Sequence, residues 1–485
     1  MPSSRSLPPP TVQPPLRRGS RLLDAAALLL ALGLGAWFWL AFFGYGRLAL
    51  RFEDWPHVAY YLDILRLAVS HGQIPWIGNW DAHGVDKFLA VPETLLAPQI
   101  VLLPWLSNGA FVAVEVCLLY AAGVVGWWRV KQVFGWTPEA FLLAVVAASF
   151  NGFVVSHLAA GHLMWDACFL APWLLLSLRA ILSSPPSPQC WLPLAFCLFA
   201  LFLLGAFHLA FWWIFFTGFA ALARPKALLP ALCAMAAAVA MAAFRILPAL
   251  LFLHEQSVFI TGYPSLGTLW KAFTHIQGYV DVVYDPSRTP ITADMLGWWE
   301  FDHYTGLALL LFVVGGAGAA LLWGRKTESL PLAAACLGML VLSYGQCYAL
   351  LYPLPLFHSE RVATRFVSLA FLGLLFVGLR GLENLPAPRA RMLARLLCVG
   401  VLLAALWDAW AGAQPWLLAK LEASHPFSAY FPELETLRPA IVEKAHQARY
   451  HAVVLGSAAF SLGVFLFLAA WGTSPRLRRR LGCGA

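Results

Sequence analysis

Charged residues are scarce in this chain. Asp, Glu, Lys and Arg make up 12% of its 485 residues, whereas soluble domains contain about 25%, so an ordinary soluble domain is excluded. Walker, GxGxxG, HExxH and GxSxG motifs are absent in a credible setting, and nothing indicates an enzyme that uses a soluble nucleotide. The nine cysteines show no CxxC spacing and lie mostly within or beside apolar runs. That placement favours small core residues over metal ligands or disulfides.

Hydrophobic residues, by contrast, make up 61% of the chain, in long runs without two-residue alternation. Backbone polar groups must find partners inside lipid, and a helix satisfies them within one segment. We therefore predict an all-α fold, a polytopic transmembrane helical bundle with about 12 spans. The spans are expected at 24–45, 108–128, 139–157, 167–182, 190–206, 207–223, 227–247, 304–323, 329–345, 366–382, 395–412 and 449–471.

The basic residues predict the orientation of these spans. Most of the 32 Lys and Arg residues stand in short clusters on the side of the two chain ends, and such clusters mark the cytoplasm. This bias explains the net charge of +8 without nucleic acid as a partner. We expect a disordered cytoplasmic N-terminus at 1–20, a membrane domain at 21–472 and a basic cytoplasmic tail at 473–485. The outer loops are expected at 46–106, 248–303, 346–365 and 413–448.

The first outer loop holds the most polar stretch in the first half of the chain, from Arg51 to Pro104. Apolar residues recur with helical spacing from Asp54 to Ser70, which predicts a helix at the membrane surface. The adjacent acids Glu53 and Asp54 repel each other, which can raise one pKa unless a cation or a hydrogen-bond donor offsets it. Such a pair suits a general base or a metal ligand, and equally an ordinary solvated loop.

Three further pairs with i,i+4 spacing fall on the same predicted outer face: His162 with Asp166, Glu300 with Tyr304, and Arg361 with Arg365. Together they predict a pocket with carboxylates for proton abstraction and arginines for a phosphate group, whose oxygens match the guanidinium fork. Each pair also has a simpler explanation. The histidine bonds a neighbouring helix, Glu300 caps a span, and the arginines reach up to lipid headgroups.

Two charged residues fall within predicted spans, where charge is costly and often functional. Arg245 lies close enough to the outer interface to join the phosphate site, whereas Glu115 has no assigned role. No metal or cofactor follows from the sequence with certainty, and a divalent cation is left open.

Several stretches resemble the GT-C superfamily of membrane glycosyltransferases, and within it the bacterial YfhO-like membrane proteins. The resemblance runs from about residue 24 to 382 and is carried by short motifs: FEDWPHVAYY, HGQIPWIGNWDAHG, AGHLMWDACFLAPWLLL, RILPALLFLHEQS, WWEFDHYTGLALLL and LYPLPLFHSERVATRF. It implies a sugar donor linked to a polyprenyl phosphate and transfer on the outer face of the bacterial inner membrane. It also assigns the base to the acid of the first outer loop, here Asp54 with Glu53 beside it.

The resemblance leads to a mechanistic hypothesis. Asp54 takes the proton of an acceptor hydroxyl, which attacks the anomeric carbon with inversion. The polyprenyl phosphate leaves towards Arg361, Arg365 and Arg245. His162, Asp166, Glu300 and Tyr304 are assigned to the sugar. The acceptor is a glycan, lipid or protein of the cell envelope. The competing function is a multi-span transporter or lipid flippase, and a third class is a scaffold protein without catalysis.

Overall fold

The computed structural model describes most of the chain. The described residues are 18–77, 87–183, 187–253, 261–279, 282–283, 296–323, 326–354, 357, 362–383, 385, 387–424 and 447–474. The expected disordered N-terminus lies largely outside them. The basic tail and much of the loop 413–448 do so as well.

The described residues are almost entirely helical. The helices of the first half are α1 (Arg18–Phe42), α2 (Trp55–Ser70), α3 (Asn108–Phe134), α4 (Pro138–Ser149), α5 (Gly152–Ala159), α6 (Ala171–Ser183), α7 (Pro188–Leu203), α8 (Phe207–Leu222), α9 (Leu228–Met241) and α10 (Ala243–Phe252). The helices of the second half are α11 (Leu266–Thr274), α12 (Leu307–Trp323), α13 (Lys326–Leu342), α14 (Gly345–Ala349), α15 (Val367–Glu383), α16 (Pro388–Ala413), α17 (Leu418–Ser424) and α18 (Ala448–Thr473).

Short 3₁₀ helices and one small β pairing complete the described structure. The 3₁₀ helices are Gly44–Gly46, Phe88–Ala90, Pro98–Trp105, Leu163–Leu170, Pro225–Ala227, Trp298–Glu300, Ala363–Phe366 and Gln414–Trp416. The two-residue strands β1 (Val282–Val283) and β2 (Leu296–Gly297) pair antiparallel in the second long loop.

The number and place of the apolar helices confirm the predicted fold class. By length and composition, seven helices in the described part are able to cross a membrane, and an eighth span arises if the bent pair α9–α10 is counted as one. Four shorter apolar helices are α7, α8, α12 and most of α13. Each of these segments coincides with one of the twelve expected runs. The protein is therefore a multi-pass membrane bundle.

One expected span is not straight. The run predicted at 227–247 forms α9 and α10, which meet at Ala242 with a bend of 70°. Arg245 on α10 is buried, and its guanidinium donates to the Thr94 hydroxyl at 2.9 Å and to the carbonyls of Pro92 and Thr94 at 2.7 and 2.6 Å. These bonds tie α10 to the first outer loop.

A side-chain cap at Asn151 explains where α5 begins. Asn151 separates α4 from α5: its side-chain oxygen accepts from the Val154 amide, and its amide group donates back to the Ala147 and Ala148 carbonyls. The chain therefore turns within the bundle without leaving buried backbone groups unpaired. This turn points the short helix α5 at the candidate site described next.

Candidate functional site

The site is built around the start of α2. Pro56 stands in the first turn of this helix, where its fixed φ and missing N–H cost nothing. The preceding residue, Asp54, donates its backbone N–H to the carbonyl of Ala160 at 3.0 Å, and the indole of Trp55 donates to the carbonyl of Ala159 at 3.1 Å. The first outer loop is thereby fixed against the turn that follows α5.

Two histidines flank the carboxylate of Asp54. His162 Nε2 lies 2.9 Å from Asp54 Oδ2, and His57 Nδ1 lies 3.7 Å from Asp54 Oδ1. The Asp54 side chain is 50% exposed, whereas that of His162 is 12% exposed. A solvent-borne hydroxyl can therefore reach the carboxylate from one side, while His162 holds it from the other.

These contacts decide the charge of Asp54. Burial by surrounding atoms would raise its pKa, but the hydrogen bond from His162 and the charges of His162 and His57 outweigh that effect. The pKa of Asp54 therefore lies below its ordinary value. The charge of Glu300 opposes this shift, and the expected repulsion from Glu53 is not among the causes that act on Asp54. Asp54 is ionised at neutral pH.

A buried chain of polar contacts leads inwards from Asp54. The rings of His162 and His157 lie 5.2 Å apart, and His157 Nε2 lies 3.6 Å from Glu300 Oε2. Arg365 holds the Glu300 carboxylate with Nε at 2.7 Å and Nη2 at 2.6 Å. The structure thus gathers Asp54, His162, Glu300 and Arg365, which are far apart in the sequence.

Glu300 remains charged despite its burial. Desolvation would raise its pKa, but the charge of Arg365, the approach of His157 and the two bonds from Arg365 hold the pKa well below its usual range. The guanidinium of Arg365 also lies over the ring of Trp165, 5.3 Å from its centroid. A paired, bidentate and stacked arginine is a rigid positive group beside the site.

Three of these residues could hold a metal ion. One ligand atom from each of His157, His162 and Glu300 lies within 4.8 Å of the others. His157 Nε2 and His162 Nδ1 are buried atoms without a hydrogen-bond partner. Two imidazoles and a carboxylate suit Zn²⁺ or Mn²⁺, so the donor set fits a divalent cation. Such an ion would supply positive charge beside Asp54. In the structure as it stands, Arg365 and not a metal ion neutralises the Glu300 carboxylate.

The remaining predicted site residues face other partners. Glu53, with a left-handed φ of 46°, accepts a hydrogen bond from the Tyr279 hydroxyl. The Tyr304 hydroxyl donates to Asp408 on α16 at 2.7 Å. Asp166 is buried, with Oδ2 unpaired, and Arg245 is bound to the first outer loop. Arg361 lies outside the described residues.

The expected i,i+4 pairing does not hold at two of these places, for one physical reason. His162 is followed by the 3₁₀ helix Leu163–Leu170, and Glu300 ends the 3₁₀ helix Trp298–Glu300, after which the chain is irregular. Residues four apart share a face of an α-helix but not of a 3₁₀ helix, which has three residues per turn. The α-helical spacing that paired Asp166 with His162 and Tyr304 with Glu300 therefore does not apply in these segments.

Two histidines of the site were not singled out from the sequence. His157 ends an apolar run, where a histidine normally suggests a bond to a neighbouring helix, and His57 follows Asp54 by three residues. Their spacing in the sequence could have indicated that they belong to the site. His157 and His162 stand on either side of the turn after α5, and His57 lies in the first turn of α2, which Asp54 precedes.

An apolar groove of about 500 Å³ lies among the helices of the second half of the chain. It runs beneath α11, between α12, α13 and α15, and Val367, Phe371, Phe273 and Trp270 are among its lining residues. One lining residue, Val367, follows Arg365 by two positions in the chain.

No protein-family model matches the chain, and no curated protein sequence matches it. Among solved structures it is similar to the cryo-EM structure of the arabinofuranosyltransferase AftD from mycobacteria, with 19% sequence identity and a TM-score of 0.50. The match covers 83% of this chain and 27% of that one, so the chain spans about a quarter of the neighbour's length. At this identity the likeness shows the fold alone, a multi-pass helical membrane bundle, and membership of the GT-C superfamily stays a prediction. The finer resemblance to YfhO-like proteins stays a prediction.

Proposed function

We propose that this protein is a membrane glycosyltransferase that moves a sugar from a polyprenyl-phosphate donor to an acceptor on the outer face of the membrane. The observation that carries the proposal is the half-exposed, ionised carboxylate of Asp54, held by His162 in a helical membrane bundle whose fold is similar to that of AftD. Fold alone does not fix function, so the argument rests on what this carboxylate can do.

In the proposed reaction Asp54 is the general base. The acceptor oxygen forms a bond to the anomeric carbon and gives its proton to Asp54 Oδ1, since Oδ2 is engaged by His162. The bond between the anomeric carbon and the phosphate oxygen breaks, and its electron pair leaves with the phosphate. Attack opposite the leaving group inverts the anomeric centre, as in glycosidases whose carboxylate base activates the incoming oxygen. Glu53 fixes the strained turn before the base.

The leaving phosphate requires positive charge, and stabilising the charge that develops there lowers the barrier most. We assign this part to Arg361 and Arg365. Arg365 is held rigidly by Glu300 and Trp165, which costs no reorganisation during the reaction. Arg245 has bonds to Thr94 and Pro92, so we assign it to the shape of the first outer loop rather than to the phosphate.

The apolar groove supports a lipid-linked donor. Its walls come from three spans and the amphipathic helix α11, and they include Val367 at the start of α15, two residues after Arg365. A hydrocarbon chain in this groove would place a phosphate group near the arginine. We assign the sugar of the donor to the space between Asp54, His162 and Glu300. We assign to Asp166 and Tyr304, which lie further away, the role of holding the walls of that space in place.

The remaining parts of the proposal follow from topology. The clusters of Lys and Arg favour cytoplasmic termini, and the base would then lie on the opposite, outer side. The acceptor is then a glycan, lipid or protein of the cell envelope, and the membrane is the bacterial inner membrane. The mycobacterial neighbour transfers arabinofuranose, which makes that sugar the first donor to test.

The test is a transfer assay on the purified protein in nanodiscs with a panel of farnesyl-phosphate donors carrying arabinofuranose, mannose, glucose or galactose. We expect one of them to lose its sugar to an added glycan acceptor. Asp54→Asn should reduce turnover by about 10²–10⁴-fold, the range of positioned acid–base catalysis. Asp63→Asn, a change of the same kind on the same helix, is the matched control and should retain turnover.

Transport is the alternative, and the bent pair α9–α10 favours it, because broken helices line the sites of many transporters. A flippase would move a fluorescent polyprenyl phosphate across proteoliposome membranes without releasing sugar. Movement of the lipid without any sugar transfer would replace the proposed function by this one.

A further inference from the structure

Asp54 faces two histidines that differ in one decisive respect, their access to solvent. His162 contacts Oδ2 and is 12% exposed, and its ring continues inwards to His157. His57 faces Oδ1, and its side chain is 34% exposed. If Oδ1 takes the proton of the acceptor, His57 is the nearby group that can carry that proton to water.

The geometry between Asp54 and His57 is fixed by the helix start. The backbone N–H of His57 donates to the carbonyl of Asp54 at 3.0 Å, within the first turn of α2. Trp55 is fully buried between them and bonded to Ala159. The backbone of this turn therefore holds the His57 ring beside the carboxylate, with Nδ1 3.7 Å from Oδ1.

Groups of opposite charge lie on either side of His57. The Asp54 carboxylate attracts the added proton, while the partial positive charge at the N-terminus of α2 opposes it. The other charged groups that face Asp54 are His162 and Glu300. Both are held in place, His162 by the carboxylate and Glu300 by Arg365.

We propose that His57 is the proton relay of the site, taking the acceptor's proton from Asp54 and passing it to solvent. This inference rests on the proposed function. The O–H bond on Asp54 Oδ1 breaks, a bond from the same proton to His57 Nδ1 forms, and the ring releases its other N–H proton to water. Asp54 returns to the carboxylate form, and the leaving phosphate keeps its own electron pair, so charge and protons balance.

The test compares three variants with the wild type in the transfer assay with farnesyl-phosphate donors. His57→Ala removes the ring, and His57→Asn keeps a polar atom near the position of Nδ1 without the ability to relay. His71→Asn is the matched control, since His71 ends the same helix and bonds the Leu67 carbonyl. Melting temperatures check that each variant is folded.

We expect both His57 variants to lower kcat by about 10²-fold, at the low end of acid–base effects, with the KM for the donor unchanged. Added imidazole should restore much of the activity of His57→Ala, because it can occupy the vacated space. It should not restore His57→Asn, and His71→Asn should behave as wild type.

Either of two outcomes would overturn the relay. The first is a His57→Ala variant that turns over within about twofold of wild type, which would show that the ring is not needed. The second is a folded His57→Ala variant whose lost activity imidazole fails to restore, which would show that the substitution acts on structure instead of on a relay. Turnover of no donor by the wild type would refute the proposed function and the relay together. If the wild type transfers sugar and the His57→Ala variant does so at the same rate, the relay alone is refuted.

Discussion

His162 Nε2 lies 2.9 Å from Asp54 Oδ2, although the two residues are 108 positions apart in the chain. One stands at the turn after α5 and the other at the start of α2, and the backbone bond from Asp54 to Ala160 brings the two segments together. The contact keeps Asp54 ionised and leaves its second oxygen for a substrate. It links the first outer loop to the buried Glu300–Arg365 pair.

Loss of His162 should shift the pH dependence of the reaction. In His162→Gln the charge that lowers the pKa of Asp54 is lost, so that pKa rises even where the glutamine amide donates a hydrogen bond to the carboxylate. The acid limb of kcat/KM against pH should move to higher pH, since Asp54 must be ionised to act as a base. His275→Gln, on the outer loop, is the control and should leave the profile unchanged.

The same variant should change stability in a defined pH window. A lowered pKa in the folded state contributes stability above the unfolded value of 3.8, and this contribution is lost as pH falls through the folded pKa. His162→Gln should therefore lower the melting temperature at pH 7 by more than it does at pH 3. An equal loss at both pH values would show that His162 acts by packing alone.

The spans could be predicted from the sequence because each apolar run is long enough to cross a bilayer, and the helix at 55–70 because its apolar residues follow a helical period. The residues that meet at the site could not all be predicted. Tyr304 and Asp166 were placed by α-helical spacing, whereas the chain there forms 3₁₀ or irregular structure. The Asp54–His162 contact depends on how the bundle packs, which no local pattern encodes.

Two buried glutamates, Glu300 and Glu328, pair with arginines near the two ends of α15. Substituting each in turn separates an effect on stability from an effect on catalysis. Glu300 pairs with Arg365 before this helix, and Glu328 pairs with Arg380 in its last turn at 2.6 Å. At 1.5 Å per residue the two arginines are about 22 Å apart. Both acids are nearly fully buried, so removing either leaves a buried arginine with less compensation.

We expect Glu300→Gln and Glu328→Gln to lower the free energy of unfolding by similar amounts, about 3–5 kcal/mol each. Only Glu300→Gln should also lower kcat for sugar transfer in protein that remains folded at low temperature. Thermal melting and the transfer assay on the same preparations give the answer. Equal activity in the two folded variants would exclude Glu300 from the site.

The trio His157, His162 and Glu300 predicts a response to metal. We expect Mn²⁺ to raise the melting temperature of the wild type, because an ion that binds only the folded state stabilises it by about 2.7 kcal/mol at 100 times its Kd. His157→Ala should lose this response. His303→Ala, which removes another buried histidine near the site, should keep it. If Mn²⁺ leaves the melting temperature of the wild type unchanged, the three residues serve to hydrogen-bond Glu300 and do not bind a metal ion.

Gly161 provides a test of how closely the two segments of the site must approach. Its φ is +95°, and a Cβ atom there would lie 2.4 Å from the backbone nitrogen of Trp55 and 2.6 Å from the carbonyl carbon of Asp54. Both atoms belong to the backbone, so neither can move aside alone. Gly161→Ala should push the start of α2 away from the turn that holds His162, and lengthen the Asp54–His162 contact.

We expect Gly161→Ala to lose transfer activity nearly as severely as Asp54→Asn, and to be destabilised, since both the backbone conformation and the space oppose a side chain. Gly218→Ala is the control. Gly218 lies within α8, and nothing stands within 4 Å of an added Cβ, so alanine there should raise stability by up to about 1 kcal/mol. Transfer assays and melting curves decide the matter. Full activity in folded Gly161→Ala would mean that Asp54 works without its contact to His162, and the base would then have to act through its solvent-facing oxygen alone.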